Sequence, residues 1–401
     1  MTSSLSHRVP GWLVLIGAMS ALGPFTIDMY LPGFPAIERE FGETGVERTM
    51  ASYLLGLAFG QLVYGPVSDR FGRKPPLYLG LVLYVAGAIG CAFATNMAML
   101  TIMRILQAVG ACAPLVIGRA IVRDRCEPHE AAKAYATLML IVSLGPIIAP
   151  LLGGFVITAL GWRAVFVFLA IAGLVIIAAM HTMLVESRDP AHVRPLRFGS
   201  AMRSYGRLLL DRVFVGYCCV GGFAMAGLFC YVAGSPNVMA QEYGLTPQQF
   251  GWMIGLNGIA FMSASRLNII ALRKSTPAAV LARYVWWPAV FSALMVIGSH
   301  VMHLPLWVVL ILQFGFFLMV GRANPNVAAL ALVPFAHEAG TASALMGAIQ
   351  SALGMLIGLA VAAFVHDTLF ELALLMLFCA IATGVAYLFT RKASTARDAA
   401  A

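Results

Sequence analysis

A single acid, Asp28, lies inside an apolar run (residues 12–32, WLVLIGAMSALGPFTIDMYLP) long enough to cross a bilayer. Crossing a hydrocarbon core of about 30 Å takes roughly 20 helical residues at about 1.5 Å each. An aspartate at the centre of such a helix costs about 2.5–3.5 kcal/mol on insertion scales. Proton uptake and release is the chemistry a carboxyl can do there, which makes Asp28 a candidate coupling residue; the alternative is a wet acid near the interface. Two cations are similarly placed. Arg104 lies in MRILQAVG (103–110), where a guanidinium needs an anion or a ring of carbonyl partners, and Gln107 sits one turn deeper on the same face. Arg322 lies in GRANPNVAAL, either facing a cavity or reaching the interface along its own stem. Asp28 and Arg104 stand about five and six residues from the outer ends of their apolar runs, so at about 1.5 Å per residue they are expected at nearly the same depth.

Other polar residues inside apolar runs are Tyr30, Gln61, Asn257, Asn324, Asn326 and Gln350. Each could hydrogen-bond a ligand in a cavity, or satisfy a neighbouring helix. Membrane-enzyme and ATP-driven pump chemistry finds no support. There is no paired-carboxylate metal motif, no His-Glu zinc pattern, no Gly-x-Ser-x-Gly nucleophile and no phosphate-binding Gly-x-x-x-x-Gly-Lys loop. The seven cysteines lie mostly within apolar runs without metal-ligand spacing, and read as small buried hydrophobes. No catalytic residue, metal or cofactor is expected.

The elements that must position these residues are membrane spans. The chain is 61% hydrophobic and 11% charged, against about 25% charge in soluble proteins, with mean hydropathy +0.87. Apolar runs fall at 11–33, 49–67, 76–95, 98–120, 134–159 and 163–185, then at 213–235, 248–270, 278–299, 304–328, 340–364 and 369–390. The expectation is an all-α integral membrane fold of twelve helices: a six-helix bundle (1–187), a basic linker (188–212) and a second six-helix bundle (213–401). Alternate loops carry nearly all the cations, among them Arg70, Arg73, Lys74, Arg119, Arg123, Arg203, Arg207, Arg273 and Lys274; the opposite loops hold Arg39, Arg48 and Arg163. The positive-inside rule then puts both termini and the linker in the cytoplasm, and the net charge of +9 reads as topology rather than nucleic-acid binding. Two halves suggest a secondary transporter with its site near mid-membrane.

Two longer patterns remain. The loop GPVSDRFGRK (65–74) has Gly65 and Gly72, expected to permit a tight turn, Asp69 placed to favour a helix N-terminus, and the cations Arg70 and Arg73. The run GPIIAPLLGG (145–154) has Pro146 and Pro150, expected to bend a span, with Gly145, Gly153 and Gly154 allowing another helix to approach closely. The first pattern resembles the signature loop of the major facilitator superfamily, and the second the antiporter motif of its drug exporters, with Ala149 in place of a usual glycine. Together with IDMYLPGFPAIEREFG in span 1, RAIVRD ending span 4 and HEAGTASALMGAIQ opening span 11, they resemble the twelve-span drug:proton antiporters of the bicyclomycin/chloramphenicol-resistance (Bcr/CflA) group.

That resemblance implies two bundles related by a pseudo-twofold axis in a bacterial inner membrane. It also implies export of small drug-like antibacterial compounds from the cytoplasm, driven by inward proton flow. Asp28 and Arg104 match its proton-coupling positions, and Asp69 and Arg73 its gating loop. If Arg322 faces the cavity, one acid against two arginines there favours neutral or anionic substrates, such as phenicol-like compounds. The partners expected are the drug, protons and the lipid bilayer, with no nucleic acid, for a protein acting as a monomer. The alternatives are an exporter of a cellular amino acid or sugar on the same fold and, more distantly, an integral membrane enzyme.

Overall fold

The computed structural model describes residues 10–187, 198–365 and 368–400. Among the described residues every regular element is helical, and 12 segments are long and apolar enough to cross a membrane. Span 1 is built from α1 (Gly11–Asp28), a 3-10 turn (Leu31–Gly33) and α2 (Phe34–Phe41). Spans 2 to 4 are α3 (Glu47–Phe71), α4 (Lys74–Ala92) and α5 (Met97–Arg125). Span 5 joins α6 (Pro128–Ser143) to α7 (Gly145–Leu160), and span 6 is α8 (Trp162–Met183). The second half holds α9 (Phe198–Leu210), α10 (Arg212–Glu242), α11 (Pro247–Leu272), and span 9 as α12 (Pro277–Tyr284) with α13 (Trp287–Val301). It ends with α14 (Leu306–Leu332), α15 (Ala339–Phe364) and α16 (Leu369–Ala400).

The interruptions follow proline chemistry, because a proline ring supplies no N–H to the turn before it. Pro32 opens the 3-10 turn and Pro35 opens α2, so span 1 is broken just beyond Asp28 and continues to Phe41 rather than ending near residue 33. Pro146 starts α7 instead of bending a continuous helix, while Pro150 lies inside it. Span 9 breaks at Val285 and Trp286, ahead of Pro288, a break its unbroken hydropathy hides. Side-chain caps fix other starts. Asn96 Oδ1 accepts from Met99 N at 2.8 Å, Asp211 Oδ1 from Val213 and Phe214 N at 3.0 and 2.9 Å, and Thr246 forms a capping box with Gln249. Each such cap is worth about 1 kcal/mol.

In the first half α3 and α4 pack on α5, α4 on α8, and α1 against α5, α6, α7 and α8. In the second half α10 packs on α14, α15 and α16, α11 on α14, and α13 on α14 and α16. Two long seams join the halves, α3 against α15 and α7 against α11. Outward positions carry large apolar side chains left uncovered by protein, such as Phe93, Leu160 and Phe389, a coat suited to lipid, where helices satisfy their own backbone groups. Of the basic linker, 188–197 lie outside the described residues. The remainder includes α9, a helix that its polar composition concealed, which buries Leu208 and Tyr205 and donates from Tyr205 Oη to the Leu62 carbonyl at 3.4 Å.

Candidate functional site

Span 1 places Asp28 as the last residue of α1, directly before the break. Among the described residues every other acid lies outside the spans or within three residues of a span end, so Asp28 is the one carboxyl in mid-span there. It is 7% exposed and makes no hydrogen bond or ion pair with any described residue. The break holds because α7 backs onto it. A Cβ at Gly153 would collide with the Met29 carbonyl, so a larger residue there would push α7 off the turn. Gly145 does the same work one helical stretch earlier, where a Cβ would sit 2.7 Å from Pro24 Cβ. On its other side Gly154 faces α11, where a Cβ would lie 2.7 Å from the Pro247 carbonyl oxygen. The carbonyls of Pro150 and Pro146 meet Gly251 and Gly258 along the same seam. The glycines and prolines of 145–154 thus serve both the Asp28 turn and the contact between halves.

Arg104 is fully buried beside this turn, but no ion pair joins it to Asp28. Its Nη1 donates to the Thr26 carbonyl at 3.1 Å and to Gln107 Oε1 at 2.9 Å. The guanidinium lies over the rings of Tyr30 at 4.2 Å and Tyr53 at 4.3 Å, with Phe166 at 5.9 Å. Each close face is worth about 2 kcal/mol when desolvated, which offsets part of the cost of a buried cation. Tyr30 is therefore a wall of this sleeve, with its hydroxyl 3.2 Å from Thr49 Oγ1, and not a free cavity residue. Contact with Thr26, two residues before Asp28, sets the arginine at the level of the acid. The expectation that Asp28 lies about five residues from the end of its span is corrected, since the span runs on through the break to Phe41. Tyr53, Phe166 and Thr26 went unnoticed in the sequence because three different spans contribute them.

At the end bearing the basic loops, Arg73 is 4% exposed and is held by three acceptors. Its Nη1 donates to Asp69 Oδ1 at 2.8 Å and Ser68 Oγ at 3.0 Å, and its Nε to Asp124 Oδ2 at 2.7 Å. Burial alone would lower the pKa of this guanidinium, but the hydrogen bonds and charges of Asp124 and Asp69 leave it above its ordinary value. Asp69 does not serve the neighbouring helix N-terminus, as its position suggested. That place belongs to Glu186, whose carboxylate accepts from Arg73 N at 3.0 and 3.1 Å and from Lys74 N at 2.9 Å. Gly72 lies against it with φ +85°, a conformation that favours glycine. Gly65 is not in the turn: it lies within α3 and faces open space. Arg70 is exposed. Asp124, in the RAIVRD end of span 4, and Glu186 belong to this cluster, and their separation in sequence gave no local signal.

At the opposite end the halves are closed by Asn237 of α10. Its Nδ2 donates to Glu38 Oε2 at 3.1 Å and to Glu47 Oε1 at 2.9 Å, while Glu38 Oε1 also accepts from Gly45 and Val46 N. Along the α3–α15 seam, Gln61 Nε2 donates to Ser351 Oγ at 3.2 Å, so Gln61 joins the halves. Near the basic end, Arg119 Nη1 donates to Ser343 Oγ at 3.3 Å and Arg207 pairs with Glu338.

The second half distributes the remaining residues widely. The Arg322 guanidinium, 8% exposed, stacks on Tyr284 at 3.8 Å. Asn326 Nδ2 donates to Asn268 Oδ1 at 2.8 Å and to the Arg322 carbonyl at 2.7 Å. Asn324 Nδ2 faces Met225 Sδ at 3.5 Å, and Gln350 packs on Gly221. Asn257 is buried with both amide atoms unpartnered, a cost of about 1–3 kcal/mol for each such group. Asp28 and Arg104 thus lie at one level without pairing, Arg322 packs on Tyr284 in the second half, and the amides line separate helix contacts.

A mid-span acid at a broken helix, two halves meeting along seams, and contacts that close each end describe a carrier. A Bicyclomycin resistance protein homolog of Haemophilus influenzae is 30% identical over 384 residues, covering 94% of this chain and 95% of that protein. An uncharacterized MFS-type transporter of Bacillus subtilis, YdgK, is 34% identical over 351 residues, 86% of each chain. Among solved structures, a D-xylose-proton symporter has a similar fold, with TM-score 0.75 and 15% identity over 93% of this chain and 96% of that one. A bacterial homologue of the lysosomal transporter Spinster, inward-facing and unoccupied, has TM-score 0.71 and 16% identity over 96% of each. The pattern describing the Major Facilitator Superfamily matches residues 14–359, and the chain belongs to that superfamily, as a multi-pass membrane transporter rather than an enzyme.

Proposed function

We propose that this protein is a proton-coupled exporter of small antibacterial compounds, an antiporter of the bicyclomycin/chloramphenicol-resistance group working by alternating access. The observation that carries the reading is Asp28, the one mid-span carboxyl among the described residues, unpaired at a helix break two residues past the Thr26 carbonyl that Arg104 holds. In this scheme the bacterial inner membrane holds two pseudo-twofold bundles, 1–187 and 213–401, as a monomer. The basic end, both termini and the linker face the cytoplasm. Opening of the Asn237 closure admits a proton to Asp28 and releases drug outward; opening of the Arg73 end lets the proton leave and drug enter. Relatives named for bicyclomycin and multidrug resistance support a drug substrate. An Arg322 that faces the cavity would set two arginines against one acid there, which disfavours lipophilic cations and favours neutral or anionic compounds.

The test is susceptibility profiling of a strain overexpressing the chain, alongside measurement of released metabolites. Raised tolerance to chloramphenicol or bicyclomycin, well above that to ethidium, is expected. Unchanged drug tolerance together with release of an amino acid or sugar would overturn the reading.

A further inference from the structure

In the second half, buried hydrogen-bonding groups collect that the scheme above does not use. On α11 Asn257 is 1% exposed, and neither its Oδ1 nor its Nδ2 has a partner. On α14 Gln313 is fully buried, with both amide atoms likewise open. On α10 Ser235 is fully buried with an unpartnered Oγ. The Tyr231 hydroxyl interacts with the side chains of Ser235 and Asn257 without a well-formed bond to either and lies 3.7 Å from Met253 Sδ, a weak acceptor, so one hydroxyl leaves most of the bonding capacity around it open.

Packing places the four together. The Tyr231 ring meets Phe317 edge-on at 5.7 Å, and Phe316 rests on Gly227 one turn earlier in α10. Gly221, ten residues before Tyr231 in α10, lies against Val327, ten residues past Phe317 in α14, so the two helices run antiparallel, and Gln313, one turn before Phe317, falls level with Ser235, one turn past Tyr231. The positions also match those of the first half. Arg104 is seven residues past the start of α5, and Gln313 seven past the start of α14; Tyr30 is 19 past the start of α1, and Tyr231 19 past the start of α10. Where the first half holds a guanidinium sheathed by rings, the second holds an uncharged amide with open bonds.

We propose that Tyr231, Ser235, Asn257 and Gln313 form a hydrogen-bonding site for an uncharged solute bearing hydroxyl or amide groups. The four offer donors and acceptors and no charge, and an ion buried there without a counter-charge would be heavily disfavoured. Access runs through the adjacent closure. Pro236 lies between Ser235 of the site and Asn237 of the Glu38–Glu47 contact, inside α10. A bend at that proline releases Asn237 and uncovers the site in one movement. The inference rests on the exporter reading only for its choice of drug probe.

The test is ligand-induced thermal stabilisation of the purified full chain, with chloramphenicol and D-xylose as neutral probes and benzoate and tetraphenylphosphonium as charged ones. The double variant Gln313→Met, Asn257→Leu keeps side-chain size and removes the open amides. Stabilisation of the wild type by a neutral probe is expected, with little from the charged ones. The variant without ligand should melt higher than the wild type and bind the neutral probe at least about 10-fold more weakly. A variant that melts lower, showing the amides to be structural, or that binds within two-fold of wild type, would overturn the site. So would a wild type that no neutral probe stabilises. Stabilisation by D-xylose alone, lost in the variant, would uphold the site and count against the drug reading.

Discussion

Replacing Asn237 by aspartate tests whether the closure opposite the basic loops is one amide bridging two acids. The change is nearly isosteric, but it turns a donor shared by Glu38 and Glu47 at 3.1 and 2.9 Å into a third carboxylate. Two hydrogen bonds to charged acceptors are worth about 1.5–3 kcal/mol each, and charge repulsion replaces them at a site where Asn237 is only 4% exposed. The closed end should lose roughly 3–6 kcal/mol. Conformers of a carrier differ by a few kcal/mol, so Asn237→Asp should favour the state open at this end by about 100-fold or more. Hydrogen–deuterium exchange reads this directly: peptides 34–50 and 232–246 should exchange faster at neutral pH. Acidification should reverse part of the effect, because a protonated new carboxyl removes the repulsion and donates one of the two bonds again. Unchanged exchange in both peptides at neutral pH would refute the closure.

Substitutions at three further positions test the supports of the site. Gly153→Ala should drive a methyl into the Met29 carbonyl, costing about 1–3 kcal/mol and much of the transport rate. Gly65→Ala faces open space within α3 and should be neutral or stabilising by up to about 1 kcal/mol; thermal melts of the two variants, run together, check the contrast. Glu186→Ala leaves Arg73 N and Lys74 N without their acceptor. It should lower stability by about 1–2 kcal/mol while Glu186→Gln loses less, measured as melting temperature and as exchange in the 65–80 peptide.

Span number was legible because hydropathy and length are properties of the chain itself, and twelve apolar runs became twelve helical spans. The breaks were less so. Pro146 and Pro150 announced the bend in span 5, but the break after Asp28 depends on Pro32 and Pro35 together with the backing of Gly153. That of span 9 falls inside an unbroken apolar run. Asp28 and Arg104 stood out as charges where charges are expensive. Their surroundings did not, since Tyr30, Tyr53 and Phe166 converge from spans 1, 2 and 6. The same holds at the basic end, where Glu186 takes the helix N-terminus that the sequence position of Asp69 suggests for it. A carboxylate 113 residues away leaves no trace in local sequence. Asn237 escaped notice because nothing in its own helix shows that Glu38 and Glu47 wait across the seam.

The central claim is that Asp28 couples proton movement to export. Its most direct test is drug efflux from proteoliposomes driven by an imposed pH gradient, comparing wild type with Asp28→Asn. The amide keeps the size of the side chain and cannot release a proton. The variant should lose gradient-driven transport while still exchanging labelled for unlabelled drug without a gradient. Full gradient-driven efflux by Asp28→Asn would contradict the claim.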